Sequence, residues 1–447
     1  MKKGAYPPNK PCVPPLLPRC ARLFHCGLCR VAGCLAATVK TVAGVGTQKA
    51  PVSREERNRQ KTLKKAILIR EKADKKRFRA GGKSRQLVFY SEKSGFYKYF
   101  RSVVDYILAN SSIDIHYVTS DPDDAIFECG NPKIHPYYIG EKALIAFMMK
   151  MDADIVVMTM PDLQKYHIKR SIVRKDIEYV YMFHTVASMH MTLREGSVDH
   201  YDTIFCVGRH HVEEIRKTEE VYGLPPKKLI ECGYGLIDDL IASYNSGEHM
   251  MKDAPRIMIA PSWQADNILD ACIDKILAML MATNCHIVVR PHPEYIRLFP
   301  YKINGLLDKT ASYPADRLDV ETDFSSNLSI YESDIMITDW SNIAFEFSYS
   351  TRKPSIFIDT PMKIQNPHYV RLNIEPLDIV FRRLLGVSVK PGELELLPAI
   401  VDEMLANPGK WNARISDTMN QYLFNPGESG KIGGEYIINR LQKDISD

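Results

Sequence analysis

Apolar runs of four to eight residues recur along the chain after residue 85, and stretches of mixed polarity separate them. Continuous runs of Val, Ile and aromatic residues are typical of strands that a parallel sheet buries on both faces. A first series of such runs covers residues 86–92, 113–120, 153–160, 177–184, 203–208 and 228–233. A polar gap follows, and a second series then covers residues 256–263, 285–292, 318–324, 333–340 and 355–360.

Two series of strands alternating with helices predict an α/β protein with two tandem, doubly wound, Rossmann-like domains. We place these domains at residues 86–247 and 248–447. The length of 447 residues agrees with more than one hydrophobic core. Because ligands of open α/β sheets bind beyond the carboxyl ends of the strands, we predict an active site in the cleft between the domains.

Charge is distributed unevenly along the chain. Residues 1–85 contain 22 Lys/Arg and four Asp/Glu, a formal charge of +18, whereas the remainder contains 37 Lys/Arg and 50 Asp/Glu and carries −13. A basic segment on an acidic body indicates that the segment meets an anionic surface. We predict a basic, largely disordered tail over residues 1–85, with one membrane-facing helix at 54–79.

The predicted helix combines many basic groups with the apolar positions Leu63, Ile67 and Phe78. Each basic side chain near an anionic lipid surface contributes on the order of 1 kcal/mol. We therefore predict a cytoplasmic protein that is peripherally attached to the inner face of the cell membrane, without a nucleic-acid partner. A solvated linker helix and a nucleic-acid site are the alternatives. No run of residues is apolar enough to span a bilayer.

Two short segments carry groups that metals use as ligands. The CGLC sequence at residues 26–29 lies between Cys20 and Cys34, but a zinc site crowded into a segment without other ordered sequence is a weak hypothesis. The acidic sequence at residues 121–124 follows a strand, and Asp-Pro is equally typical of a helix cap. We predict no metal and no other cofactor.

The sequence VVRPHPEY at residues 288–295 places a histidine at the end of a strand. Prolines on both sides of His292 exclude helix there and restrict its backbone, with Arg290 two residues earlier. Arginine can bind a phosphate with two hydrogen bonds, and histidine can bond a phosphoryl oxygen or move a proton. The alternative is an ordinary turn residue.

A buried strand at residues 335–338 leads into Asp339, and Ser341 and Asn342 then precede a helix that carries Glu346. Serine and asparagine at this position predict a helix cap. The amide groups of a helix N-terminus bind phosphate readily, so the segment is a candidate anion site. An ordinary cap without a ligand is the alternative.

In the first domain, His184 follows a strand most closely, in the sequence YMFHTVASMH. It is expected to face the cleft from the opposite side, where a general base for an acceptor hydroxyl would lie. A structural histidine is the alternative. We interpret His190, His210 and His211, which lie further into loop or helix, as surface groups.

Several ordered motifs resemble the CDP-glycerol glycerophosphotransferases, which build glycerol-phosphate polymers such as teichoic acids. The motifs are GYG-x2-D (233–238), IAPSW (259–263), VVRPHP (288–293), ITDWSNIAFEF (337–347), RKPSIFID (352–359) and NPGESGK (425–431). The resemblance implies a GT-B-like fold, similar to the two-domain nucleotide-sugar transferases. It also implies a cytidine-nucleotide donor bound by the second domain, and transfer without a metal.

By this resemblance, His184 is the base, and the remaining candidates meet the donor. Arg290 and His292 would contact its pyrophosphate, Ser341 and Asn342 would hold phosphate, and Asp339 or Glu346 would lie near it. The family commonly shows W-H-G-T-P around the base, whereas this chain has F-H-T-V-A at residues 183–187. The difference concerns chiefly the acceptor.

The combined prediction is an enzyme that moves glycerol phosphate, or a related polyol phosphate, from a CDP-linked donor to a hydroxyl group and releases CMP. The acceptor is expected to be a lipid-linked or glycan molecule at the membrane, in the synthesis of a cell-surface polymer. A GT-B glycosyltransferase that uses a nucleotide sugar is the nearest alternative. A non-catalytic, membrane-bound scaffold is the alternative of another class.

Overall fold

A computed structural model describes residues 53–81, 86–166, 168–247, 252–324 and 326–446. The predictions for residues 1–52, including the zinc hypothesis, lie outside the described residues. Within them, two all-parallel sheets organise the chain. The first sheet contains β1 (Leu87–Ser91), β2 (Ile115–Thr119), β3 (Ile134–Tyr138), β4 (Ile155–Met158), β5 (Glu178–Met182), β6 (Thr203–Cys206) and β7 (Lys228–Glu231). The second contains β8 (Arg256–Ile259), β9 (His286–Val289), β10 (Leu318–Val320), β11 (Ile335–Thr338), β12 (Ser355–Ile358) and β13 (Gly386–Val389).

Helices connect and cover the strands. Those that precede or flank the first sheet are α1 (Arg54–Ala80), α2 (Tyr97–Asn110), α3 (Glu141–Met148), α4 (Met189–Thr192), α5 (Arg209–Tyr222) and α6 (Gly235–Ser246). The later ones are α7 (Ile268–Ala271), α8 (Ile273–Leu280), α9 (Pro293–Leu298), α10 (Pro300–Thr310), α11 (Leu328–Glu332), α12 (Ile343–Thr351), α13 (Leu377–Leu384), α14 (Leu397–Ala406), α15 (Pro408–Tyr422) and α16 (Ser429–Ser446). Short 3-10 helices lie at Ala125–Glu128, Tyr369–Leu372 and Leu394–Leu396.

The strand order is the same in the two sheets, apart from one additional strand in the first. It reads β3-β2-β1-β4-β5-β6-β7 in the first sheet and β10-β9-β8-β11-β12-β13 in the second. In register, Phe89 of β1 lies between Tyr117 and Val157, and Met258 of β8 pairs with Met336. The order reverses between β1 and β4 and between β8 and β11, where open α/β sheets bind ligands. The predicted fold class is confirmed.

Helix α1 has two halves with different surroundings. Its second half packs on the first sheet: the carboxylate of Asp74 accepts the N–H of Tyr138 at 2.9 Å, and the ring of Phe78 lies 4.8 Å from that of Phe147. Its first half is almost entirely exposed, including Leu63 at 59%. The prediction that Phe78 faces a membrane is therefore wrong, because this ring is buried in the first domain.

The C-terminal helix α16 returns to the first domain and packs along α2. Ile437 and Leu441 lie in the same apolar core as Phe100. At the start of α16, the carboxylate of Asp238 accepts the N–H groups of Gly427 at 2.7 Å and Ser429 at 3.1 Å. The motifs GYG-x2-D and NPGESGK thus bind one another. The predicted boundaries at residues 85 and 247 stay predictions, although α1 and α16 both pack on the first domain.

No helix in the described part of the chain is long and apolar enough to cross a membrane.

Candidate active site

His292 lies at the carboxyl end of β9 and forms the N-cap of α9. Its Nδ1 accepts the backbone N–H of Glu294 at 3.1 Å. Burial, and to a smaller extent the charge of Lys363, lower the pKa of His292 to about 4, so the ring is neutral near pH 7. Because Nδ1 accepts, the proton of the neutral ring is on Nε2, and this nitrogen is a hydrogen-bond donor.

His184 lies two residues beyond the end of β5, and its ring is 6.1 Å from that of Phe96 and 5.8 Å from that of Tyr99. Burial is the largest influence on its pKa, which is lowered to about 4. The backbone of Thr159 opposes this shift, and the charges of nearby lysines add to it. Nδ1 of His184 is buried without a hydrogen-bond partner among the described residues. The imidazole is therefore neutral near pH 7 and partly desolvated.

Two lysines that the sequence analysis did not identify accompany these histidines. Lys98 of α2 has its Nζ 5.0 Å from the ring centroid of Tyr99, the aromatic neighbour of His184. Lys363, in the loop after β12, has its Nζ 5.5 Å from the ring centroid of Trp263. No motif or helix cap marks either lysine in the sequence.

The ring of Trp263 lies 6.5 Å from that of His292. Each histidine therefore has an aromatic neighbour whose ring lies close to a lysine ammonium group. The charges of Lys363 and Lys98 both lower the pKa values of His184 and of His292. Since one pair of charges acts on both rings, the four groups share one region between the two sheets. An ion pair of 3.3 Å between Lys93 and Glu294 connects the two domains beside it.

Arg290 lies at the predicted strand end and is buried. Its Nη1 donates to Glu321 Oε1 at 2.7 Å and to the Ser329 hydroxyl at 2.6 Å, and its Nη2 donates to the carbonyl of Ser326 at 3.3 Å. These bonds direct the guanidinium toward protein acceptors. Its contact with a donor phosphate stays a prediction.

The carboxylate of Asp339 is buried and bonded to backbone. It accepts the N–H groups of Ser262 and Trp340 at 2.7 Å and that of Ile268 at 3.2 Å. Burial raises its pKa, and these bonds oppose the shift. Asp339 therefore fixes the loop between β8 and α7, which contains Trp263.

Ser341 and Asn342 immediately precede α12, and their carbonyls accept the N–H groups of Ala344 at 3.3 Å and Phe345 at 3.1 Å. The prediction of a side-chain cap is wrong for Asn342, because its backbone is helical (φ −64°, ψ −17°) and its side chain makes no capping bond. Both residues are half-buried beside the switch point of the second sheet.

Glu346 lies in the first turn of α12. Burial raises its pKa, while the positive charges of Lys98 and Arg290 lower it. Lys98 belongs to the first domain, so this carboxylate and the ammonium group interact across the cleft. Glu346 is thereby placed near Lys98 and Arg290.

The prediction that His190, His210 and His211 are surface groups is wrong, because all three are buried. They surround Glu214, which is fully buried on α5. Asp124 of the acidic segment at residues 121–124 caps a 3-10 helix by accepting the N–H of Ile126 at 3.1 Å.

The two parallel sheets with one shared strand order define a two-domain α/β protein with a GT-B-like fold. The sequence profile of the family described as CDP-Glycerol:Poly(glycerophosphate) glycerophosphotransferase matches residues 77–363. The chain belongs to this family, which confirms the predicted resemblance. It is a transferase of phosphorus-containing groups. No curated protein matches the chain.

Solved structures agree with the fold. The wall teichoic acid polymerase TagF superposes with a TM-score of 0.58 at 14% identity, over 88% of this chain and 98% of that chain. A glycosyltransferase from Rickettsia africae ESF-5 gives 0.51 at 12%, over 80% and 99%. A putative UDP-N-acetylglucosamine 2-epimerase from Listeria monocytogenes gives 0.53 at 10%, over 81% and 96%. At such identities the similarity concerns the fold alone.

Proposed function

We propose that this enzyme transfers glycerol phosphate, or a related polyol phosphate, from a CDP-linked donor to a hydroxyl group of a membrane-associated acceptor. The observation that carries the proposal is the meeting of two neutral strand-end histidines, one from each domain, with Lys98 and Lys363. Family membership supports CDP-glycerol as the donor. The acceptor is a lipid-linked or glycan molecule.

In the proposed reaction, the acceptor oxygen attacks the donor phosphorus that carries glycerol. A new phosphorus–oxygen bond forms, and the bond from that phosphorus to the bridging oxygen breaks. CMP leaves with the bridging oxygen and its electron pair, and His184 takes the acceptor proton. With its pKa lowered to about 4, His184 is unprotonated at neutral pH, as a general base must be before it takes a proton.

The two phosphates of the CDP-linked donor are negatively charged. Hydrogen-bond donors and cations must therefore face them from the side opposite the acceptor. His292 donates from Nε2 to a phosphate oxygen, and this tautomer follows from its bond to Glu294. Lys98 and Lys363 neutralise charge from the two domains, as preorganised cations do in phosphoryl transfer. Ser341, with the start of α12, holds a further phosphate oxygen.

The remaining candidates have supporting roles in this proposal. Asn342 adds its amide group beside Ser341, and Arg290 orients the strand end that carries His292. Asp339 holds the loop that carries Trp263. Glu346 keeps Lys98 directed toward the cleft until the donor arrives, because the two groups interact across it.

Attachment to anionic lipid at the inner face of the cell membrane is part of the proposal. The first half of α1 supports it, since this half projects from the first domain with Leu63, Leu68 and Ile69 between 56% and 60% exposed.

Replacing Lys61, Lys64 and Lys65 by glutamate should abolish sedimentation with phosphatidylglycerol vesicles. The matched control replaces the exposed lysines Lys309, Lys390 and Lys410, and it should bind as the wild type does. Equal binding by both variants would place attachment elsewhere.

The function is tested by nucleotide release in the presence of bacterial membranes: CMP from CDP-glycerol or CDP-ribitol, UDP from UDP-glucose, and GDP from GDP-mannose. Release of CMP from a CDP-alcohol, with radiolabelled polyol phosphate incorporated into the acceptor, is expected. Incorporation from a nucleotide sugar instead would support the glycosyltransferase alternative. Absence of turnover and of donor binding would support the scaffold.

A further inference from the structure

Two buried histidines of α5 donate hydrogen bonds to the backbone segment that follows His184. Nε2 of His210 donates to the carbonyl of Val186 at 2.8 Å, and Nε2 of His211 donates to the carbonyl of Ala187 at 3.0 Å. Two successive carbonyls, two and three residues beyond His184, are therefore bound by two successive imidazoles. His211 is fully buried and His210 nearly so.

In each of these imidazoles, the nitrogen that donates the hydrogen bond is Nε2. Nδ1 of His211 accepts the N–H of Val207 at 3.3 Å, so the proton of the neutral ring is on Nε2. His210 donates from the same nitrogen. Burial lowers the pKa of His210 to about 4 and that of His211 well below its ordinary value, which keeps both rings neutral.

Glu214, one turn further along α5, fixes the end of the same segment. Its Oε2 accepts the backbone N–H of His190 at 3.2 Å and lies 3.2 Å from His190 Nδ1. Both side chains are about 1% exposed. The segment from 186 to 190 is thus bonded to α5 at three positions.

The second domain binds the other side of this segment. The N–H of Ser188 donates to Asp378 Oδ2 at 2.9 Å, and the Ser188 hydroxyl accepts the N–H of Leu377 at 2.6 Å. The segment after His184 is therefore fixed between α5 of the first domain and the start of α13.

Buried carbonyls are costly unless hydrogen bonds satisfy them, and apolar side chains would leave those of Val186 and Ala187 without these donors. The two imidazoles also fix the direction of the two carbonyls. We propose that His210 and His211 are positioning residues, which hold the backbone after β5 so that His184 meets the acceptor hydroxyl in a reactive geometry. A displacement of about 1 Å can lower a rate by roughly 100-fold. The proposal rests on the proposed role of His184 as base.

The test compares leucine and glutamine at each position in the full-length enzyme. Glutamine can donate from a nitrogen at the reach of Nε2, whereas leucine has similar volume and no donor. We expect His210→Leu and His211→Leu to lower kcat of CMP release at least tenfold, with the Kd for CDP-glycerol changed less than twofold. His210→Gln and His211→Gln should keep at least half of the wild-type kcat.

A second measurement does not depend on turnover. The 13C-labelled ring signal of His184, assigned by its loss in His184→Ala, should shift in the leucine variants and stay in place in the glutamine variants. An unshifted signal in folded leucine variants, or equal damage from leucine and glutamine, would overturn the proposal. If the wild type releases no CMP but the ring signal behaves as expected, the positioning role stands and the proposed function fails.

Discussion

His292 and His184 each follow a strand of their own domain, yet different parts of the chain hold them. Neighbours in sequence hold His292: Pro291 and Pro293 restrict its backbone, and Glu294 donates to its ring. His184 has no such neighbours, and residues of two distant helices fix the segment behind it. One histidine is thus positioned locally and the other by tertiary structure. Substitutions far from the cleft should therefore affect His184 and leave His292 unchanged.

The largest effect is expected from removing Glu214, the residue of α5 that binds the end of the segment after His184. Glu214→Ala should lower the free energy of unfolding by about 3 to 5 kcal/mol, because it leaves His190 buried without its partner. Pro291→Ala, which loosens the local frame of His292, should cost only about 1 kcal/mol. Urea unfolding of the two variants measures both values. Equal losses would show that the two histidines do not differ in this way.

Two glycines differ in the same way: one is constrained only by its own backbone conformation, and the other also by a distant segment of the chain. Gly223 and Gly233 both have positive φ, +64° and +98°, but a Cβ on Gly233 would lie 2.4 Å from the carbonyl oxygen of Phe424. A Cβ on Gly223 would meet no described atom within 4 Å. We expect Gly233→Ala to cost about 2 to 4 kcal/mol and Gly223→Ala about 1, by urea unfolding. Equal costs would mean that the contact between residue 233 and the C-terminal segment adjusts easily to an added methyl group.

Donor binding should depend on the locally held histidine. His292→Ala is expected to weaken CDP-glycerol binding by roughly 1.5 to 3 kcal/mol, or about 10- to 150-fold in Kd, because a donor to a charged phosphate is lost. Calorimetric titration measures this change, and His200→Ala, on an exposed histidine, is the control. An unchanged Kd in His292→Ala would remove this residue from the donor site.

The smallest effect concerns pH. A base is lost as pH falls through its pKa, and His184, with a pKa of about 4, stays unprotonated at pH 6. The ring is surrounded by Phe96 and Tyr99, with Lys98 and Lys363 as its charged neighbours. The value of kcat/KM for CDP-glycerol, which reports groups of the free enzyme, should change less than about 1.5-fold between pH 8 and pH 6, whereas a base with the ordinary value of about 6.5 would lose roughly fourfold. A midpoint near pH 6.5 would show that the ring is hydrated.

The sequence predicted the features that local patterns encode. Every predicted apolar run contains a strand, and the strand-end positions of His184 and His292 are as expected. The two strands that it missed, β3 and β13, lie at sheet edges. Pro136 interrupts the apolar pattern of β3, which an edge strand tolerates because one side of it needs no hydrogen bonds.

The missed parts of the site depend on tertiary contacts. Nothing adjacent to His210 and His211 in sequence indicates that α5 lies beneath the segment after β5, so their polarity suggested the surface. Lys98 and Lys363 come from different domains, and only the folded chain places both beside the two histidines. Asp339 follows a strand as catalytic carboxylates do, but the structure satisfies it with three backbone N–H groups.

The most direct test of the account is to measure kcat and donor Kd on one preparation of His184→Ala. The account predicts that CMP release from CDP-glycerol falls about 100-fold or more, because the base acts in the transition state, while the Kd for CDP-glycerol stays within twofold of the wild type. Near-normal turnover, or a loss of donor binding as large as the loss of turnover, would contradict it.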